Sequence, residues 1–255
     1  VRAAFRGLVG VAVLLLLWEL LSASDLVPPG YIPPPTLVAS TLVNLLGDGV
    51  FVYDVIASLL AWAIALGIAV VIAVPLGLVL GSVPAVRRAT RTVVELLRPV
   101  PSVAMIPLAI LLFGGGPEAK IVLAVYASVW PILFNTIYAL DELDEQLVDT
   151  ARAFGVSKPR IMATVALPSA APFVMTGIRT SAAIALIVVV STELLAGATL
   201  GLGQFILNAS SGGSRMDLVF AGTVVAGLIG YLVNAGLEWV QRRFFAWGAR
   251  TGETV

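Results

Sequence analysis

The chain of 255 residues contains no cysteine and no histidine. Disulfides, thiolate metal sites and imidazole acid–base chemistry are thereby excluded, and no metal site is expected; only carboxylates are left as donors for a hard cation. Charge is scarce as well. Asp, Glu, Lys and Arg together make up 12% of the residues, about half the share usual in soluble domains. Fifteen basic and fifteen acidic residues cancel to a net charge of zero, and there is no basic run, so a nucleic-acid partner and a disordered polyelectrolyte both fail. What fills the chain instead is apolar: 59% hydrophobic residues plus 24 Gly. A soluble chain of this length has nowhere to hide so much apolar side chain. A chain whose outer solvent is lipid has no such need. The expected class is an all-α integral membrane protein.

Stretches poor in charge mark the expected spans, since about 20 apolar residues cross the hydrocarbon core. They lie at about 4–21, 55–81, 100–114, 121–140, 173–197 and 218–237. The first carries Arg6 near its start and Glu19 near its end. It is too long for a removed signal peptide and lacks a cleavage site, so it is expected as a retained helix. Pro75 predicts a kink in the second. The third carries Pro101 and Pro107 and ends in Gly114-Gly115-Gly116, which predicts a short element, irregular at its start. Pro131 lies inside the fourth, and the fifth begins near Pro172 and holds Arg179 and Glu193. Six transmembrane helices are expected.

Arginine and lysine set the orientation. Arg2 and Arg6, then Arg87, Arg88, Arg91 and Arg98, then Arg152, Lys158 and Arg160, then Arg242, Arg243 and Arg250 all fall on one side; Lys120 and Arg215 fall on the other. That asymmetry predicts both termini in the cytoplasm. The loop 22–54 is then external, stiffened by its prolines, and Leu37 to Leu46 predicts a short helix at the outer interface. Pro84 to Arg98 is cytoplasmic, with Arg91 and Glu95 paired at i,i+4; it reads as an interfacial helix held by anionic lipid headgroups.

The longest cytoplasmic loop, 141–171, is the most unusual segment. It opens acidic and turns basic, and it predicts two short helices. The first runs from about Glu145 to Phe154 and stops at Gly155, a natural C′ residue. The second has Ser157 as N-cap and Pro159 in its first turn, and is expected to stop before Pro168. Leu147, Ala151 and Phe154 share a face of the first; Ile161, Met162 and Val165 recur on the second. Two readings of these apolar ridges stand: they dock in a groove of another protein, or they pack on the ends of the chain's own spans.

Asp149-Thr150-Ala151-Arg152-Ala153-Phe154-Gly155, nine further residues, then Val165-Ala166-Leu167-Pro168 resembles the EAA loop of binding-protein-dependent ABC importer permeases. Ala151, Gly155, Leu167 and Pro168 match that motif at its spacing, while Asp149, Thr150 and Val165 replace Glu, Ala and Ile. Further segments, among them Leu97-Arg98-Pro99-Val100-Pro101, Trp130-Pro131-Ile132-Leu133-Phe134-Asn135-Thr136 and Glu193-Leu194-Leu195-Ala196, resemble the branch serving nitrate, taurine and aliphatic sulfonates, whose relatives also serve bicarbonate, riboflavin and thiamine precursors.

The resemblance implies one transmembrane permease domain over 1–255 with the type I importer (MetI-like) fold, in the bacterial inner membrane. It implies a second permease copy, two cytoplasmic ATP-binding subunits and an external substrate-binding protein as partners, with membrane lipid around them. It also implies that no cofactor is held by this chain, ATP and Mg being bound by the ATPase subunits, and that the chain is a transport subunit with no catalytic residues. The loop helix would be the coupling helix, with Asp149, Ala151, Arg152, Phe154, Gly155, Lys158, Leu167 and Pro168 as its ATPase-coupling residues. Phe154 supplies an apolar anchor, Gly155 a sharp turn, and Arg152 and Lys158 meet acidic groups. Gly155→Pro or Ala151→Asp is expected to abolish transport and leave the protein inserted.

Within the spans, ionisable groups are functional candidates by default. Glu193 either locks the backbone amides of the Gly201-Leu202-Gly203 turn or lines the translocation path. Arg179 either snorkels to headgroups or attracts an anion. Asn135, Ser191 and Gln204 complete the path candidates, and each equally suits interhelical hydrogen bonding. Glu238 precedes Arg242 by four residues, an ion-pair spacing. Gly77 and Gly81 permit close helix approach. The nearest sequence to a phosphate loop, Gly114 to Ile121, lacks the second Gly before Lys and the hydroxyl residue after it, so ATP hydrolysis is not expected here. The competing reading is a self-contained secondary transporter or channel; six helices without an evident internal repeat make a small unit for that.

Overall fold

The computed structural model describes residues 2–24, 26, 28, 30–196, 199–211 and 215–245. Gly197, at the end of the fifth expected span, and Arg250 lie outside the described residues. Among the described residues every regular element is helical: α1 (Arg2–Ser22), α2 (Pro35–Leu46), α3 (Gly49–Ser82), α4 (Pro84–Leu97), a 3₁₀ turn (Ser102–Met105), α5 (Ile106–Phe113), α6 (Pro117–Asp141), α7 (Glu145–Ala153), α8 (Lys158–Ile161), a π-helical turn (Met162–Ala166), α9 (Leu167–Ala196), α10 (Leu202–Ser211) and α11 (Met216–Phe244). Local chemistry starts several of them. Prolines occupy the first turn of α2, α4, α5 and α6, where a missing N–H costs nothing. Asp48 caps α3 by accepting from the Val50 N–H at 2.9 Å, and Asp144 caps α7 by accepting from Gln146 at 2.8 Å.

Among the described residues four helices are long and apolar enough to cross a membrane: α3, α6, Lys158–Ala196 and α11. The third expected span, 100–114, is not one straight span. Pro101 and Pro107 break it into the 3₁₀ turn and an eight-residue α5, and only paired with α4, across a bend of 75°, does it amount to a fifth crossing. α1 fills the first expected span with 21 residues and turns its leucines outward, Leu14 being 65% exposed.

Two boundaries differ from expectation at Pro168. The second loop helix does not stop there, and the fifth span does not begin at Pro172. α8, the π turn and α9 run on as one 39-residue helix. A proline removes one N–H and crowds the carbonyl four residues back. The five-residue π turn immediately before Leu167 widens the ladder there and lets the helix continue. α10 was not expected either; its residues follow the 201–203 turn and form an apolar ten-residue helix.

α6 is the centre of the bundle, with α3 parallel to it and α9 antiparallel. Gly77 and Gly81 of α3 meet Thr136 and Leu140 of α6, and Gly177 of α9 meets Asn135 and the backbone at Pro131. Without side chains at these three positions, the axes close to a separation at which small residues fill the interface. The buried core is correspondingly rich in alanine: Ala61, Ala65, Ala124 and Ala185 in one cluster, Ala69, Ala73 and Ala182 in the next. Ser181 donates to the Ser128 carbonyl at 2.6 Å and Trp62 to the Ala182 carbonyl at 2.9 Å, so polar atoms in the apolar interior are spent between helices. A third cluster joins Val38, Phe51, Leu202, Ala221 and Val225 of α2, α3, α10 and α11. Outward surfaces are apolar, with Val71, Leu111 and Leu232 prominent.

Candidate functional site

Two constellations stand at opposite ends of α6. At its Lys120 end, four elements converge on one carboxylate. Glu193, near the end of α9, is wholly buried, and Lys120 is 4% exposed. The Lys120 ammonium donates to Glu193 Oε1 at 2.6 Å and to the Leu200 carbonyl at 3.2 Å. Ser58 Oγ, from α3, lies 2.7 Å and 2.9 Å from the two carboxylate oxygens and accepts from the Leu202 N–H at 2.8 Å. The Gly203 N–H donates to Glu193 Oε2 at 3.0 Å, and Asp54, also buried, accepts from the Gly201 N–H at 2.9 Å. Three successive amides of the 201–203 turn are thus satisfied by side chains, and they lead into α10. A buried ion pair loses hydration on both partners and holds together only when further donors and acceptors around it are engaged; here both carboxylate oxygens accept, and the ammonium donates to the Leu200 carbonyl as well as to Glu193.

Glycine is required at this turn. Gly201 has φ +144°, and a Cβ there would collide with the Glu193 carboxylate; one on Gly203 would collide with the Val190 carbonyl. Sequence reasoning found Glu193 and the glycines but left out Lys120, Ser58 and Asp54. A signal was present: Lys120 and Glu193 are opposite charges expected at the same membrane level on adjacent spans.

At the Asp141 end lies α7. Its last turn closes through two hydrogen bonds, the Gly155 N–H to the Arg152 carbonyl at 2.9 Å and the Val156 N–H to the Ala151 carbonyl at 3.1 Å. That pairing, with Gly155 at φ +73°, is a Schellman motif, and it turns the chain sharply toward α8. α7 contains no buried residue. Phe154 is 83% and Leu147 50% exposed. Of the two readings of this ridge, packing on the chain's own spans fails for Phe154 and Leu147. Arg152 pairs with Asp149 at 3.0 Å, both exposed. Lys158 is exposed in the first turn of α8, Leu167 is 38% exposed, and Ala151 is half-buried.

The five path candidates are spread over α6, α9 and α10. Glu193 is engaged as described. Gln204, on α10, donates to Asn208 Oδ1 at 2.8 Å, and its own carbonyl oxygen is buried without a protein partner among the described residues. Asn135 donates to the Pro131 carbonyl within α6 at 2.8 Å, and Ser191 is half-buried on α9. Arg179 lies fourteen residues before Glu193, roughly 20 Å along α9. It bonds to α11 through Gln241 Oε1 at 2.7 Å and Glu238 Oε2 at 3.5 Å, and Glu238 also takes Arg242. No cluster of metal-ligating residues occurs among the described residues.

A helical bundle with apolar outer faces and polar groups paired between its helices is the build of a membrane protein. Comparison with known proteins gives the family. Residues 73–246 match the family described as binding-protein-dependent transport system inner membrane component, and the chain belongs to it. It is the permease subunit of an ABC importer, a component of the inner membrane. The taurine transport system permease protein TauC of Escherichia coli is 32% identical over 242 residues, covering 93% of this chain and 87% of that protein. The bicarbonate transport system permease protein CmpB of a Synechocystis strain is 25% identical over 91% of this chain and 86% of its own length. An ABC transporter permease protein of Methanocaldococcus jannaschii is 36% identical, but over 61% of this chain and 58% of that protein. In fold, the chain resembles a chain of the MetNI methionine ABC transporter in an inward-facing conformation, with TM-score 0.65 and 22% identity over 80% of this chain and 97% of that one.

Proposed function

We propose that the chain forms half of a translocation path for a small solute, a sulfonate-, taurine- or nitrate-like anion, with a second copy of itself supplying the other half. One transmembrane domain spans 1–255, with both termini in the cytoplasm and six crossings: α1, α3, the bent α4–α5 pair, α6, the α8–α9 helix and α11. The chain has no catalytic role. ATP and Mg are bound by two cytoplasmic subunits, and an external binding protein delivers the solute. The relatives named for taurine and bicarbonate transport support the solute class.

The observation that carries the coupling assignment is the exposure of Phe154, 83%, on a helix closed by Gly155 at φ +73°. An apolar side chain held out on a rigid turn, with Arg152 and Lys158 beside it, suits a groove in an ATPase subunit. Closure of two ATP-bound subunits would draw the paired α7 helices together and tilt the bundles through the continuous α8–α9 helix, alternating access between the two faces. Tagged protein purified from its native membrane is expected to carry a stoichiometric ATPase, and Phe154→Asp to lose it while the protein stays inserted. Retention of the ATPase by that variant, or uptake of solute by the chain without ATP, would favour a self-contained carrier instead.

A further inference from the structure

The amphipathic helix α4 carries an apolar face and an arginine-rich one. Its apolar residues Val86, Val93, Leu96 and Leu97 are exposed, while Arg87, Arg91 and Arg98 lie together on its other side. With Arg88 and Thr90, those arginines line a cavity of about 450 Å³ whose far wall is Phe134, Ile137 and Tyr138 of α6. Arg87 is half-buried there, and Arg88, Arg91 and Arg98 are exposed.

The charges in the cavity do not cancel. Arg87 is held by Asp141 through two bonds of 2.7 Å each, and Arg91 by Glu95 at 2.7 Å. Among the described residues, Arg88 and Arg98 meet no carboxylate; the Arg98 guanidinium lies over the Phe134 ring, 4.4 Å from its centroid. Two cations in the lining are therefore left without a carboxylate, and one of them, Arg98, lies against the aromatic wall. Phe134 is seven residues, or about 10 Å along the axis, before Asp141 at the end of α6, so the cavity extends about that far alongside α6.

We propose that this cavity between α4 and α6 is an oxyanion-binding site for a phosphate, sulfate or sulfonate group, held by the guanidinium of Arg98, with Arg88 adding positive charge nearer the Asp141 end of the lining. The planar fork of Arg98 matches the paired oxygens of such a group, and the ion pairs of Arg87 and Arg91 hold those two side chains in place between. The group belongs either to a soluble anion entering at this end of the bundle or to the headgroup of an anionic lipid whose chains follow the exposed apolar face of α4. The assignment rests on the permease reading only for which membrane face the cavity opens to.

The test uses the full chain in nanodiscs. In discs of phosphatidylcholine alone, sulfate and an aliphatic sulfonate are titrated and binding is measured by calorimetry. In parallel, discs containing phosphatidylglycerol are analysed by native mass spectrometry for retained lipid. Saturable binding of the soluble anions locates that source, and retained phosphatidylglycerol locates the other. In either arm Arg98→Gln should weaken binding about tenfold or more, and Arg98→Lys should recover part of it. Absence of binding in both arms, or wild-type affinity in Arg98→Gln, overturns the proposal. Association of the variants with the ATPase is scored separately, because loss there would speak against the permease reading and leave the anion site untouched.

Discussion

The Lys120 ammonium and the Glu193 carboxylate meet at 2.6 Å with almost no exposure of either. They come from α6 and α9, which are antiparallel neighbours, and the pair lies where α3 and the turn into α10 also arrive. Removing one partner leaves an uncompensated charge in a dry site, which costs roughly 3–5 kcal/mol. Lys120→Met and Glu193→Leu should each lower the thermal unfolding midpoint of the purified protein sharply. The double variant should unfold nearer to wild type than either single one. Additive losses in that cycle would mean that the two residues do not act as a pair.

Positive φ values at two glycines have different consequences. Gly30, at φ +89°, has open space where a Cβ would stand, whereas at Gly201 a Cβ meets the Glu193 carboxylate. Gly30→Ala should cost about 1 kcal/mol from backbone conformation alone, and Gly201→Ala clearly more than that. Equal losses in denaturation would show that the turn yields without disturbing the ion pair.

Within α3, Gly67 faces open space and Gly77 faces Thr136 of α6. Gly67→Ala is expected to stabilise the helix by up to about 1 kcal/mol. Gly77→Ala should destabilise the bundle by about 1–3 kcal/mol, since the facing backbone has no room to retreat. Opposite signs for the same substitution in one helix are the expected reading of a melting experiment.

Gly155 separates stability from coupling. Its left-handed φ and its N–H bond to Arg152 are both incompatible with proline, so Gly155→Pro should abolish solute uptake. Because no residue of α7 is fully buried, insertion and the unfolding midpoint should change little. Ala151→Asp, on the half-buried side of α7, should likewise stop uptake and leave insertion intact. Normal uptake by either variant, measured in cells, would remove α7 from the coupling path.

Much of this architecture was legible in residue order because it depends on local chemistry. The apolar runs that became α3, α6 and α11, the Asp144-led start of α7 and its end at Gly155 follow from periodicity, capping and glycine at C′. The misjudged boundary at Pro168 has a physical cause. Proline was read as a stop, and a π turn, which depends on backbone hydrogen bonding over five residues, let the helix pass. The third expected span was read as short and irregular at its start, and its prolines do break it there, leaving α5 too short to cross alone.

Partnership between distant residues belongs to the tertiary structure alone. Composition and charge placement determined that the chain lives in lipid, because lipid rewards apolar length, and the resemblance of one contiguous loop motif placed it with importer permeases. They did not determine that Glu193 takes Lys120, Ser58 and the Gly203 amide at once. Nor did they show that Arg98, at the end of α4, lies over Phe134 of α6. Those outcomes depend on how closely α3, α6 and α9 approach and on the angle at which α4 meets α6. Such distances are set by packing across the whole bundle, which no single segment encodes.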